Sequence, residues 1–186
     1  MKLLKQPWKG DMELVQVVNE EGRTVGSLAK MEAHRGEGVL HRALSVMIVS
    51  ADREILLQQR AHEKHHWAGY WSNTVCSHPR PEEPVGKAAL RRLREELGIE
   101  GLVLREVGTT TYQYFDSSSG LSEREWDHVF VAECGEKTPA MRIDPQEVAD
   151  TKWVTLGEAR ELQRAGLCTP WMVDVIDNIF RSGTNE

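Results

Sequence analysis

The sequence predicts a single α/β domain, and three observations carry that prediction. Short apolar or alternating runs of strand length, each bounded by turn residues, recur from Met12 to Leu156. Between them, Val85–Leu97 switches to three- and four-residue spacing, with Val85, Ala89, Leu90, Leu93 and Leu97 on one stripe. A chain of 186 residues, 40% apolar and 28% charged, has the size and balance of one domain with a proper core. The expected unit is the whole of 1–186, with its core from about 12 to 181.

Taken in order, Met12–Val18 and Thr24–Leu28 around Asn19-Glu-Glu-Gly22 form strand, turn and strand, with Lys30 at the end. By itself Lys30 is an ordinary solvated lysine. His34 and His41 lie across a Gly-containing loop, so they are no helical metal pair, yet such a loop can bring two imidazoles to one ion. Ala43–Ser50 and Glu54–Gln59 are strand-like, joined by the hairpin signal Ala51-Asp-Arg53. Arg60 and Lys64 follow; a planar fork and a point charge suit a diphosphate, with solvation as the ordinary alternative. His62, His65 and His66 are loop residues without an evident partner.

Beyond the helix, Leu102–Tyr114 and Leu121–Cys134 are strands around a turn at Phe115–Gly120. Glu123, Glu125 and Asp127 share one face of the second, where their repulsion calls for a cation or for solvent at an acidic edge. Lys152–Leu156 is a short strand and Gly157–Gly166 a polar helix. A last helix runs to Phe180, with Thr169 as its cap, Pro170 at its first position and Trp171 most simply in the core.

Most candidate chemistry lies in Trp71–Gly98. Cys76 and His78 stand two residues apart, just ahead of the central helix. Pro81-Glu-Glu-Pro84 is a rigid acidic entry suited to a helix N-terminus, and Gly98 is the stop. Arg92 and Glu96 fall on the flank of the apolar stripe, where a carboxylate can be held half-buried, whereas Arg91 and Glu95 project away as an exposed ion pair. A plain amphipathic helix on a core explains the helix equally well.

A net charge of −6 leaves no basic footprint for nucleic acid or an anionic membrane, so a small anionic substrate depends on individual Lys and Arg residues. Cys76, Cys134 and Cys168 lack paired spacing, which indicates a reducing, cytoplasmic setting. The N-terminal MKLLKQPWKGDMEL holds no signal-like apolar run, nothing later is long enough to span a bilayer, and the tail RSGTNE is expected to fray.

The helix and the loop before it resemble the Nudix box, G-x5-E-x7-R-E-(apolar)-x-E-E-x-G. Counting back from Gly98, the pattern meets Glu96, Glu95, Leu93, Arg92, Arg91, Glu83 and Ser77. Ser77 stands where the box has Gly, and Arg92 stands where it has Glu, which removes a ligand that hydrolases of the superfamily use to hold divalent ions. The combination W-x-N-x-V-C-x-H-P with R-R-x-R-x-E-L-G instead resembles the type I isopentenyl-diphosphate isomerases, a non-hydrolytic family with a Nudix-type fold. The resemblance runs from about Val15 to Ile179, through Lys30-x-x-Ala33-His34, Leu40-His41, Arg60-x3-Lys64, Glu123-x-Glu125 and Thr169-Pro-Trp171-Met172.

That resemblance implies a mixed sheet flanked by helices and a metal site of His34, His41, His78, Glu123 and Glu125 holding Zn²⁺ or Mn²⁺. It implies a Mg²⁺ ion on the substrate, held by Glu96 and the backbone carbonyl of Cys76, and a diphosphate cradle of Lys30, Arg60, Lys64 and Arg92. The implied reaction is a 1,3-allylic proton shift between isopentenyl and dimethylallyl diphosphate. Cys76 and Glu125 would serve its two faces, Trp171 the carbocation, and Tyr114 (or Tyr112, in Tyr112-Gln-Tyr114) would stand near the acid. The expected partner is this small allylic or homoallylic diphosphate alone, on a monomer. Hydrolysis of another diphosphate, or non-catalytic binding, are the competing readings.

Overall fold

The computed structural model describes residues 13–135 and 139–182, with side chains to residue 180. The expected strand start at Met12, the N-terminal segment before it and the tail after residue 182 lie outside the described residues. The elements are β1 (Leu14–Val18), β2 (Thr24–Ala29), a one-turn α1 (Lys30–Ala33), β3 (His41–Val49) and β4 (Ile55–Arg60). There follow β5 (Trp71–Ser72), β6 (Val75–Ser77), α2 (Val85–Leu97), β7 (Arg105–Asp116) and β8 (Leu121–Glu133). The chain closes with β9 (Val148–Val154), α3 (Leu156–Arg164) and α4 (Met172–Ser182).

β3 is the hub of a mixed sheet. It pairs antiparallel with β1, β4 and β6, and parallel with β8, which in turn pairs with β7; β4 carries β5 and β9. Its near-continuous apolar run is what a strand covered on both faces requires. Leu44, Val46 and Ile48 pack with Leu56, Phe130 and the Ala88, Ala89, Leu93 and Leu97 stripe of α2. On the opposite face Met47, Ile55 and Leu57 pack with Val129, Val131 and the Trp171, Met172, Val175 and Ile176 set leading into α4. The chemistry sits where β3, β6 and β8 meet between these two cores.

Four local expectations change. Leu90 is 46% exposed, because Ala88 rather than Leu90 faces the sheet at that turn. The first turn of α2 holds no acidic residue; Glu83 turns back to the Arg80 amide and to Arg91 Nη2 at 2.7 Å, since a guanidinium fork outcompetes the helix end. Thr169 does not cap α4. Its amide donates to Trp71 O and its hydroxyl meets Ser72, tying it to the edge of β5, so the helix starts at Met172. Cys76 lies on β6, paired with Ser45, and not in a loop. Gly98 takes φ +67 as the expected stop. No helix among the described residues is long and apolar enough to cross a membrane.

Candidate active site

Strand register assembles the acidic and histidine residues. Parallel pairing of β3 with β8 sets His41 beside Glu125, and alternation along β8 turns Glu123, Glu125 and Asp127 the same way. They face inward, at 5%, 6% and 0% exposure, so the solvated-edge alternative does not hold. His34 arrives at the C-terminal end of α1, anchored where the Ser122 amide donates to its carbonyl, and His78 follows directly after β6. One ligand atom from each of His34, His41, His78, Glu123 and Glu125 lies within 4.8 Å of all the others.

The hydrogen bonds define what this group lacks. His34 Nδ1 donates to Lys30 O and His41 Nδ1 to Val39 O, each at 2.7 Å, so both rings aim Nε2 inward as a lone pair. His34 Nε2 lies 2.9 Å from Glu123 Oε2, and His41 Nε2 lies 3.1 Å from His78 Nε2, itself 2.7 Å from Glu125 Oε1. A cation fits between such groups. His34 is raised above its ordinary value, the Glu123 charge overcoming burial. His78 is pushed down to about 3, burial outweighing its bond to Glu125. Glu123 is held well below the usual carboxylate range, as His34 and His66 outweigh burial. Three imidazoles and two carboxylates fit a divalent transition ion better than a hard oxygen-seeking one.

Cys76 lines a cavity together with His34, His78, Glu123 and Glu125. Its thiol donates to Asn73 Oδ1 at 2.7 Å and accepts from Trp171 Nε1 at 3.0 Å. The Asn73 amide is oriented by donating to Val75 O and Val46 O. Burial pushes the thiol up to about 12. Tyr112 donates to Glu125 Oε2 at 2.6 Å and stacks on Trp171 with centroids 6.3 Å apart. Tyr114, the expected tyrosine, donates to Asp174 instead. Register explains the difference between the two candidates, because Tyr112 is the cross-strand partner of Glu125 and Tyr114 that of Glu123. Asp127 lies nearby with both carboxylate oxygens unpartnered, pushed well above its usual range by burial and then by Glu125.

Lys30, Arg60, Lys64 and Arg92 line one cavity together with Cys76, His78, Glu123, Glu125 and Trp171. Glu96 lies outside this lining, under Arg92 Nη2 at 2.8 Å and beside Gln58. Arg60 spends two donors on the carbonyls of His66 and Trp67, and its guanidinium lies 5.5 Å from the Trp171 ring. Arg91 is no exposed ion-pair partner; it is largely covered and held by both Glu83 and Glu95. Glu83 and Glu95 are thus both paired with Arg91. Two residues escape the sequence patterns. Glu147, ahead of β9, pairs with Lys64 and Arg92, and His66 bonds Glu123. Both reach the site from loops, where no periodicity marks them.

The fold and this site define a NUDIX-domain protein: the family's profile matches residues 39–172. A Deinococcus radiodurans crystal structure superposes with a TM-score of 0.71 at 19% identity, covering 88% of this chain and 97% of that one. The MutT protein from Methanosarcina mazei gives 0.62 at 17% identity, covering 78% and 96%. At such identities these show the fold alone. "Isopentenyl-diphosphate Delta-isomerase" of Streptomyces griseus is 42% identical over 164 residues, 88% of this chain and 82% of that protein. The Nocardia farcinica protein of the same name is 43% identical over 165 residues, 88% and 92% of the two chains. The chain belongs to the isopentenyl-diphosphate Delta-isomerase family.

Proposed function

We propose that this protein interconverts isopentenyl and dimethylallyl diphosphate by a 1,3-allylic proton shift, working as a monomer, since one chain supplies every residue of the site. The observation that carries the reading is a thiol and a carboxylate lining one cavity, Cys76 bonded to Trp171 and Glu125 to Tyr112, whose rings stack, with Lys30, Arg60, Lys64 and Arg92 in the same lining.

In this reading Lys30, Arg60, Lys64 and Arg92 neutralise the diphosphate, and Glu96, which Arg92 covers here, would with the Cys76 carbonyl hold a Mg²⁺ ion on it. His34, His41, His78, Glu123 and Glu125 would hold the second ion, Mn²⁺ or Zn²⁺. Bound there, that ion would make a Glu125 carboxylic proton more acidic, as protonating an alkene demands. One face gives a proton to the terminal methylene, leaving a tertiary cation; the other takes a proton from C2, and the double bond re-forms between C2 and C3. The Trp171 ring stabilises the cation, and the buried lining keeps water from quenching it.

The two groups share one transferable proton. Each passage moves it from one group to the other, so the state left by the forward reaction is the state the reverse reaction starts from. With the thiol pushed up to about 12, the ligand-free chain keeps that proton on Cys76. If Glu125 protonates the methylene, the proton returns to Glu125, which accepts from the Tyr112 hydroxyl, before the next forward turnover. A free thiol here suits the reducing cytoplasm.

The test is to incubate the pure, metal-loaded protein with isopentenyl diphosphate and Mg²⁺ in deuterated water, following products by proton NMR and phosphate by colorimetry. Dimethylallyl diphosphate with deuterium in a methyl group is the expected product. Phosphate release without isomer would mean a hydrolase, and no change would mean a binding protein.

A further inference from the structure

We propose that His66 is a positioning residue for the metal centre, holding the Glu123 carboxylate in one orientation from outside the ligand set. The inference rests on the five-residue metal site above. His66 is 8% exposed, and its Nε2 lies 2.5 Å from Glu123 Oε1. Oε2 of the same carboxylate faces His34. The two oxygens thus have separate tasks, one turned to the ligand nitrogens and one tied to the loop.

The loop is built to deliver this ring. Arg60 donates to the carbonyls of His66 and of Trp67, the Trp67 amide donates to Asp116 Oδ2, and the Trp67 ring packs edge-on against Trp171 at 5.1 Å. Trp67 holds φ +44, a conformation an L-residue keeps only when its surroundings impose it. These anchors leave the imidazole little freedom to do anything but face Glu123.

A direct ligand is the competing role, and the geometry disfavours it. His66 is not among the residues whose ligand atoms lie within 4.8 Å of one another, although its ring lies 5.2 Å from that of His34, and its nitrogen approaches the Glu123 oxygen other than the one facing His34. Its Nδ1 is buried without a partner, so the neutral ring with its proton on Nε2 is the tautomer that makes the bond and leaves only a bare acceptor unpaired. A carboxylate fixed through its far oxygen binds metal without the cost of ordering, and losing such an outer contact lowers metal affinity by about 10–100-fold.

The measurement is a titration of the metal-free protein with Mn²⁺, the free ion followed by its EPR signal, for wild type, His66→Ala and His66→Gln. Glutamine keeps an N–H donor at similar reach but offers no imidazole lone pair. Wild type is expected to bind one ion at this site, His66→Ala to bind it about 10–100-fold more weakly, and His66→Gln to bind it nearly as wild type. Should His66→Ala fail to fold, His66→Asn, one carbon too short to reach Glu123, takes its place. Wild-type affinity in the alanine or asparagine variant overturns the role while leaving the metal site standing. A glutamine variant as weak as alanine overturns it in favour of direct ligation. A wild type that binds no ion at this site removes the metal reading itself, and this inference with it.

Discussion

Tyr112 and Tyr114 differ by two positions on one strand face, and their rings lie 5.6 Å apart, yet only one hydroxyl reaches Glu125. Tyr112→Phe therefore removes a bond to the carboxyl proposed to exchange a proton, and kcat should fall by about 10²–10⁴, the range for a positioned acid–base group. Tyr114→Phe should leave kcat near wild type, since its partner Asp174 is on α4. Equal losses in both variants would show that the strand face acts as packing only. Lys64 offers a pH test. Burial holds it down at about 8 despite Glu147, because Arg60 and Lys30 crowd it with like charge. Glu147, gripped by two cations, sits at about 2 although burial opposes this. As pH rises through about 8 the free enzyme loses the Lys64 charge, so kcat/KM for the diphosphate should fall there. In Lys64→Arg, which stays charged, that limb should disappear whatever its absolute rate. A limb unchanged by the substitution would assign it to another group.

Among the elements, α2 was legible because its apolar spacing, its glycine stop and its charged flank all follow from one helical period, and β3, β4, β7 and β8 because apolar and β-branched runs bounded by turn residues mark them. β5 and β6 were not. At two and three residues they have no period of their own and exist because β4 and β3 offer them edges. The site was legible to the extent that its residues fall in motifs of fixed spacing; Tyr112, Glu147 and His66 depend instead on register and loop path. Gly98 illustrates how an element end is fixed. It holds φ +67, and a Cβ there would stand 3.0 Å from the Arg142 backbone nitrogen, which donates to Leu97 O. Gly120 holds φ +73 with nothing nearby. Gly120→Ala should cost the left-handed strain alone, about 1–2 kcal/mol. Gly98→Ala should cost more, because the obstacle is main chain; chemical denaturation of both reads the difference. Equal losses would mean that segment 142–148 shifts freely.

At the scale of the whole molecule, the five candidate ligands tie together the end of α1, the start of β3, the segment after β6, and β8. Within that knot Glu123 and Glu125 are buried beside each other, with the unpartnered Asp127 two residues further along the strand. Their mutual repulsion belongs to the folded state and is weak in the extended chain, so an ion that neutralises them favours folding twice, by ligation and by relieving like charge. An ion present at about 100 times its dissociation constant stabilises the fold by about 2.7 kcal/mol, which for a domain of this size is a melting temperature higher by roughly 5–10 °C. Removing metal with a chelator and dialysing the chelator away should lower the melting temperature by that amount. Mn²⁺ or Zn²⁺ should restore it at concentrations where Mg²⁺ does not, because imidazole donors favour the softer ions. Elemental analysis checks that the metal has left. A metal-free protein that melts with the loaded one would mean that protons on the histidines hold the knot as well as an ion does, and the five residues would then be a polar core and not a metal centre.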